Sequence, residues 1–376
     1  MRKLGLYIHI PFCVRKCNYC DFYSLCSKTD TELSDFVNSL CEHIARESSL
    51  YRDCEFDSIF IGGGTPSLMS GEDLSRLVSA IKSSLKITQG AEFSIEANPG
   101  TLTAEKLNTY KKCGVNRLSI GLQSSSNEEL KCLGRIHTLD EFLESFRLAR
   151  EAGFDNINVD IMYALPSQTT DGLFKTLDFV CGLSPEHISA YCLKIEEGTP
   201  FFKARDSLCL PDDELQEEMY CGMCDYLKNR GYEQYEISNF SKKGFRCAHN
   251  LKYWRCEEYV GFGPSAHSYF DGERYFYSDN LTEYMSSYAP QKIMENAHTP
   301  DKSEKMDELV MLRLRLSDGI DLEEFRSTFG IDFDDVYDVS KYIKSGHMVK
   351  GESSYSFTSK GFFVSNYILC DILDNI

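Results

Sequence analysis

No stretch of this chain approaches the roughly 20 consecutive apolar residues that a membrane-spanning helix needs, so a soluble or at most peripheral protein is expected. Basic charge is scarce: 40 Lys and Arg stand against 58 Asp and Glu, a formal net charge of −18. That balance argues against nucleic acid as the main partner, because phosphate contacts need a basic face, while leaving room for a locally basic pocket. Cysteine is too thin for a disulfide framework, since 16 in 376 residues is about 4%, below the roughly 8–10% of disulfide scaffolds. Met1–Arg2–Lys3 leads into a short strand and not into the apolar core of a secretion signal, which sets the expected compartment as the reducing cytoplasm. The G-x-G-x-x-G dinucleotide fingerprint and the G-x-x-x-x-G-K-[ST] phosphate loop are both missing.

What the chain does have is a cysteine loop near its start. Cys13, Cys17 and Cys20 form C-x3-C-x2-C directly after the strand-like run Tyr7–Ile8–His9–Ile10, which Pro11 ends. Three thiolates in so short a loop can converge on one face of an iron–sulfur cluster, and no fourth cysteine lies at Asp21 or Phe22 just after Cys20. One iron would then lack a protein ligand, and an open coordination position is where a substrate or cofactor binds. A structural zinc site is the plainer alternative, but His9 is too close along its strand to complete one.

Strand and helix patterns alternate after the loop. Apolar residues at helical spacing (Leu33, Phe36, Val37, Leu40, Ile44) are followed by strands at 58–61, 93–97, 117–123, 157–165 and 187–193, with helices over 71–85, 104–113, 128–133, 140–152 and 171–183. Six such units predict a parallel sheet with helices outside it. The span is short of the about 250 residues of a full eight-unit barrel, so a partial (β/α)6 TIM-like barrel is expected, with a doubly wound open sheet as the alternative. Either way the functional ends are the C-terminal ends of the strands. Those ends carry the cysteine loop, Gly62–Gly63–Gly64–Thr65–Pro66, Glu96–Ala97–Asn98–Pro99 and Gln123, while the fifth strand passes Asp160. The glycines permit close backbone approach. Glu96 and Asp160 suit ribose hydroxyls or an ammonium, and Arg135 suits a carboxylate. Together they describe S-adenosylmethionine.

The cysteine loop and the glycine turn resemble the radical S-adenosylmethionine superfamily. The surrounding sequence is similar to the branch holding oxygen-independent coproporphyrinogen oxidase and the HemW-type heme chaperones. That similarity runs through Ser94–Pro99, Gly121–Gln123, Leu133–Arg135 and Val159–Thr169. It implies a [4Fe-4S] cluster on Cys13, Cys17 and Cys20, and S-adenosylmethionine held by Tyr7, Tyr19, Gly63, Gly64, Thr65, Glu96, Gln123, Arg135 and Asp160. The oxidases carry another cysteine two residues beyond the third, where this chain has Phe22, and an N-terminal extension before the first strand, whereas Tyr7 lies close to the start here. Both departures point to the chaperones. The resemblance then implies heme as a further ligand, apo-hemoproteins such as respiratory enzymes as acceptors, and an electron donor for the cluster. An oxidase-like enzyme acting on a porphyrin is the alternative.

His249–Asn250–Leu251–Lys252–Tyr253–Trp254 reads H-N-x-x-Y-W, a pattern the resemblance associates with heme. Neutral imidazole is a common axial ligand, Tyr253 and the single tryptophan offer flat apolar area, and Lys252 and Arg255 suit propionates. Cys247 and His267 are competing axial candidates. Cys221 and Cys224 read as helix packing. Gly261–Phe262–Gly263–Pro264–Ser265 is expected to border the cavity, with Ser265 where relatives often have glycine. From about residue 300 helices over 305–316, 321–329 and 334–345 and two β runs within 348–358 predict a winged-helix-like α+β module. The expected division is 1–295 and 296–376. The module's acidic helices favour a structural or docking role over DNA binding.

Overall fold

The computed structural model describes residues 1–26, 29–286, 292–294 and 300–373. Six parallel strands, β1 Arg2–Ile10, β2 Cys54–Gly63, β3 Ile87–Ala97, β4 Arg117–Gln123, β5 Ile157–Tyr163 and β6 His187–Cys192, lie side by side in chain order. Their burial is near-continuous, as a sheet covered on both faces requires: every residue of β4 is buried. The connecting helices are α1 Asp30–Glu47, α2 Gly71–Ser84, α3 Ala104–Cys113, α4 Asn127–Cys132, α5 Leu139–Glu151 and α6 Thr170–Leu183. Each starts on a hydroxyl side chain that caps a backbone N–H: Thr29, Ser70, Thr103, Ser126, Thr138 and Thr169. α1 buries the stripe read from its spacing, with His43 added to it.

The sheet does not close. It continues past β1 through Tyr259–Phe262, which is parallel to β1, and then through the antiparallel strands His267–Phe270, Glu273–Tyr277 and Lys292–Met294. Past β6 it is extended by Asn239–Ser241 and Glu233–Gln234, both antiparallel. The partial barrel is therefore the parallel heart of a twelve-stranded sheet. Strands β1 to β3 run several residues further toward their N-termini than the apolar runs suggested, because Arg2 and Lys3 are exposed strand residues and Ile87–Glu92 contains no fully buried residue.

Helix Ala248–Trp254 crosses the bottom of the sheet, at the N-terminal ends of the strands. Glu92 of β3 holds its start, accepting from the backbone N–H groups of Ala248 (3.0 Å) and His249 (3.1 Å). Gly5 makes room for it: a Cβ there would lie 2.9 Å from Lys252 Cδ and 3.1 Å from His249 Cε1.

In the C-terminal part, helices Lys302–Arg313 and Leu322–Phe329 pack with a three-stranded sheet of Ile320–Asp321, Ser354–Phe357 and Met348–Lys350. The helix expected over 334–345 is broken into a turn of 3₁₀ helix at Phe333–Asp335 and a short helix at Ser340–Lys344. Between them the Asp338 carboxylate accepts from the Ser340 backbone N–H, a local bond that competes with helix formation. Two further helices, Ser359–Phe363 and Ser365–Leu373, follow the hairpin. The first docks on helix Asp213–Asn229, where the Phe363 and Tyr220 rings lie 6.1 Å apart, and the second packs on the first. The expected boundary at 295/296 falls outside the described residues.

Phe325 is fully buried among Phe329, Phe333 and Tyr337. Phe325→Ala should cost about 3–5 kcal/mol through lost transfer energy and a cavity, read as a lowered urea midpoint in denaturation followed by circular dichroism.

Candidate functional site

β1 delivers the cysteine loop. Phe12 is 1% exposed and meets the edge of Phe36 on α1, and Phe12–Cys13 pairs with Leu25–Cys26 as a two-residue parallel bridge that closes the loop. Cys13, Cys17 and Cys20 are free, partly exposed thiols inside it. Burial pushes the Cys20 thiol up to about 11, with the neighbouring Cys17 and Cys13 adding to the shift.

The glycine turn after β2 is pressed against this loop. Gly64 donates to Ile10 O (2.8 Å), and a Cβ on it would lie 2.6 Å from Phe12 O and 2.9 Å from Phe12 N. Only glycine fits there. Gly63 is left-handed at φ 110° with the His9 ring behind it, and its N–H donates to Glu96 Oε2 (3.1 Å). His9 is fixed by Tyr7 OH at 2.9 Å and by Tyr23 O at 2.9 Å.

A chain of hydrogen bonds joins two of the cysteines through two strand ends and the segment after α4. Thr65 Oγ1 donates to Cys13 Sγ (3.5 Å) and accepts from Asn98 Nδ2 (2.9 Å); Arg135 donates to Asn98 Oδ1 (2.7 Å) and to Cys17 Sγ (3.5 Å). Arg135 also donates to Gly121 O (3.1 Å) and lies beside Tyr19. Tyr19 packs on the apolar cluster of Leu133, Met162, Leu165, Leu193 and Phe201. Gln123, at the end of β4, is buried in a left-handed conformation at φ 73° just past a bulge in the β4–β5 pairing. Such strain in a non-glycine residue concentrates at functional sites.

Below the mouth lies a cavity of about 140 Å³ lined by residues that include Tyr7, Glu96, Arg117, Asp160, His249 and Tyr253. Desolvation and then the charge of Asp160 push Glu96 up to about 8, and desolvation also raises Asp160 despite hydrogen bonds from Asn158 (2.8 Å) and Ser119 (3.1 Å). Arg117, 2% exposed, is the cation of this wall, and its Nε has no hydrogen-bond partner. The sequence reading missed Arg117, and it named Asn98 at its strand end without giving it a role. Period-two spacing along β4 places Arg117 on the same face as Gly121 and Gln123, a signal the sequence did contain.

The H-N-x-x-Y-W residues do not share one face. His249 and Tyr253 point up into the cavity. Both imidazole nitrogens are engaged, Nδ1 with Ser58 Oγ (3.0 Å) and Nε2 with Tyr253 OH (2.7 Å), and burial holds the ring neutral by lowering its pKa to about 3. Trp254 points the other way, packing with Tyr235, Leu251 and Leu316 and lying 5.8 Å from the Arg315 guanidinium. Lys252, expected to face propionates, is buried and paired with Asp57 (2.9 Å) and Glu257 (3.0 Å). Cys247 is wholly buried with its sulfur toward Glu92, and His267 stacks on Phe276. Cys224 packs in the core, as expected. Ser265 is left-handed at φ 62°, the conformation that glycine adopts without strain.

A model described as "Radical SAM superfamily" matches residues 7–180, and one described as "HemN C-terminal domain" matches 301–364. The heme chaperone HemW of Haemophilus influenzae is 35% identical over 377 residues, 97% of this chain and 97% of its own. This chain belongs to the HemW family. HemW of Bacillus subtilis is 35% identical over 96% of this chain and 97% of its own. The coproporphyrinogen III oxidase of Escherichia coli, a radical SAM enzyme, superposes with a TM-score of 0.85 over 99% of this chain and 90% of its own at 22% identity, and that likeness supports the fold.

Family membership implies a [4Fe-4S] cluster and S-adenosylmethionine, and the donor set fits both. Three unpaired thiols sit in one loop, and the glycine turn, a carboxylate and a guanidinium line the rim beside them.

Replacing Gly64 by Ala should displace the Phe12–Cys13 backbone and leave less than half the wild-type iron and sulfide after reconstitution, measured by metal analysis. For Glu96 the sign follows from its raised pKa: an acid that holds its proton to about pH 8 when folded and releases it near 4.5 when unfolded loses stability as pH rises between those values. Glu96→Gln in cluster-free protein should therefore gain stability over wild type increasingly from pH 5 to 8 and level off above. A melting-temperature gap that stays constant over this range contradicts the assignment.

Proposed function

We propose that this protein is a heme chaperone: it binds heme and hands it to apo-hemoproteins. In this reading Cys13, Cys17 and Cys20 hold the cluster, and Tyr7, Tyr19, Gly63, Gly64, Thr65, Glu96, Gln123, Arg135 and Asp160 hold S-adenosylmethionine. When bound, the two supply one-electron chemistry. The chain's own residues orient them: Arg135 and Thr65 fix two of the thiols, and Glu96 offers a carboxylate whose charge appears as a cationic group approaches.

The observation that carries the chaperone reading is Phe22. Where the oxidases have a cysteine, this chain has an aromatic ring that is 60% exposed at the mouth. In the same loop Val14 is 57% exposed and Arg15 and Lys16 are exposed, and Lys16 Nζ donates to Phe22 O (3.0 Å). Exposed apolar side chains and two cations in one loop of a protein of net charge −18 suit a porphyrin face and its propionates. His249 is the weaker candidate for the iron. It would have to surrender a buried hydrogen bond, and the cavity it faces is smaller than the about 300 Å³ at which pockets begin to enclose drug-sized ligands. We place its role in the barrel floor instead. The acceptors are apo-hemoproteins such as respiratory enzymes, met in the cytoplasm or at the membrane surface, and a separate protein supplies electrons to the cluster.

Hemin titrated into anaerobically reconstituted protein should give a saturable one-to-one Soret shift. Phe22→Asp combined with Lys16→Glu should weaken binding at least tenfold, and His249→Ala should leave the affinity and Soret position unchanged. Absence of stoichiometric binding by wild type, together with porphyrinogen-dependent formation of 5′-deoxyadenosine, would replace the chaperone with an oxidase. Loss of binding in His249→Ala with correct folding would return the iron to the floor helix.

A further inference from the structure

The cluster loop contains a fourth thiol that none of the chemistry above uses. Cys26 is exposed, and in the two-residue parallel bridge that closes the loop it stands directly opposite Cys13. Paired residues on neighbouring parallel strands project to the same side and lie about 4.7–4.9 Å apart along the hydrogen-bonding direction. That falls within the about 4.4–6.8 Å between Cα atoms that a disulfide needs. The bridge is anchored at both ends: Leu25 N donates to Pro11 O (2.7 Å), and Phe12 is buried against α1. Cys17 and Cys20, by contrast, are only partly exposed. Cys26 therefore meets an oxidant in solvent first, with Cys13 placed to resolve it, which is the arrangement of an exposed thiol beside a resolving thiol.

We propose that Cys26 is a redox partner of Cys13: when the cluster is absent, the two form a disulfide that closes the cluster site until it is reduced. With glutathione disulfide as oxidant, the Cys26 thiolate attacks one of its sulfurs and releases one glutathione. The Cys13 thiolate then attacks the mixed disulfide at Cys26 and releases the second. The protein loses two protons and two electrons, and one glutathione disulfide becomes two glutathiones. The link removes one of the three cluster ligands and leaves the fold intact, because it joins strands that are already paired. The blocking half of this inference rests on Cys13 being a cluster ligand; the linkage itself does not.

Cluster-free protein is treated with glutathione disulfide, its remaining thiols are alkylated, and tryptic peptides are analysed by mass spectrometry. Trypsin cuts after Arg15 and Lys16, so Cys13 leaves in a different peptide from Cys17, Cys20 and Cys26. The expected product is peptide 4–15 joined to peptide 17–28, with fragmentation placing the bond at Cys26 and Cys17 and Cys20 alkylated. In Cys26→Ser, an exposed and conservative change, the cross-linked pair should fall at least tenfold. Oxidised wild type should take up less than a fifth of the iron of reduced protein on reconstitution, and dithiothreitol should restore it. A dominant link through Cys17 or Cys20, or glutathione remaining on Cys26 with no link, overturns the proposal. Reduced Cys13→Ser that takes up full iron shows instead that the ligand assignment fails, whatever the linkage does.

Discussion

The hydrogen-bonded chain from Cys13 through Thr65, Asn98 and Arg135 to Cys17 is the constraint on which the site depends. Its members come from the first loop, the ends of the second and third strands, and the segment after α4. No two of these could keep register with each other unless the strands were parallel and adjacent in chain order. The long parallel pairing of β1 with β2 makes the first of these contacts possible, and the missing side chain at Gly64 lets the backbones come close enough to make it. A loop of three cysteines is too short to hold its own shape. The chain of donors and acceptors supplies that shape from outside.

The interior of the barrel follows from the same arrangement. Strands that bury both faces normally carry apolar residues on each, yet the inward positions here include Ser58, Glu96, Arg117, Ser119, Asn158, Asp160 and His187. Buried polar groups are tolerable only when satisfied, and most of these are: Asn158 bridges Asp160 and Ser119 on one side and accepts from Ser189 (3.1 Å) on the other. The floor helix completes the lattice by bringing His249 to Ser58 and Tyr253 to His249. Seen this way, the H-N-x-x-Y-W segment is first a structural answer to a polar interior.

Much of this was legible in the sequence because it is written in local signals. Alternating apolar periods gave the six parallel strands and their helices, and the cysteine spacing, the glycine turn and Glu96 marked the mouth. The additional strands at 233–234, 239–241, 267–270 and 273–277 were not read, since short edge strands are defined by their partners and carry little period of their own. Arg117 was missed because a lone arginine at the start of an apolar strand looks like a solvated end, although the period of two along β4 puts it on the inward face. The orientation of Trp254 is likewise a tertiary fact. On a helix, residues one apart face different ways, so a motif that is contiguous in sequence was divided between the barrel interior and the C-terminal module.

Glu96 turns the mouth into a thermodynamic coupling between occupancy and acidity. Because its carboxyl retains a proton to about pH 8, a cationic group set against it at neutral pH must expel that proton. Each docking event then releases close to one hydrogen ion to the solvent. Affinity for such a group rises with pH until the carboxyl is already ionised and then flattens. If Glu96 holds a cationic group as proposed, that group would be released as the surroundings acidify, without any moving part.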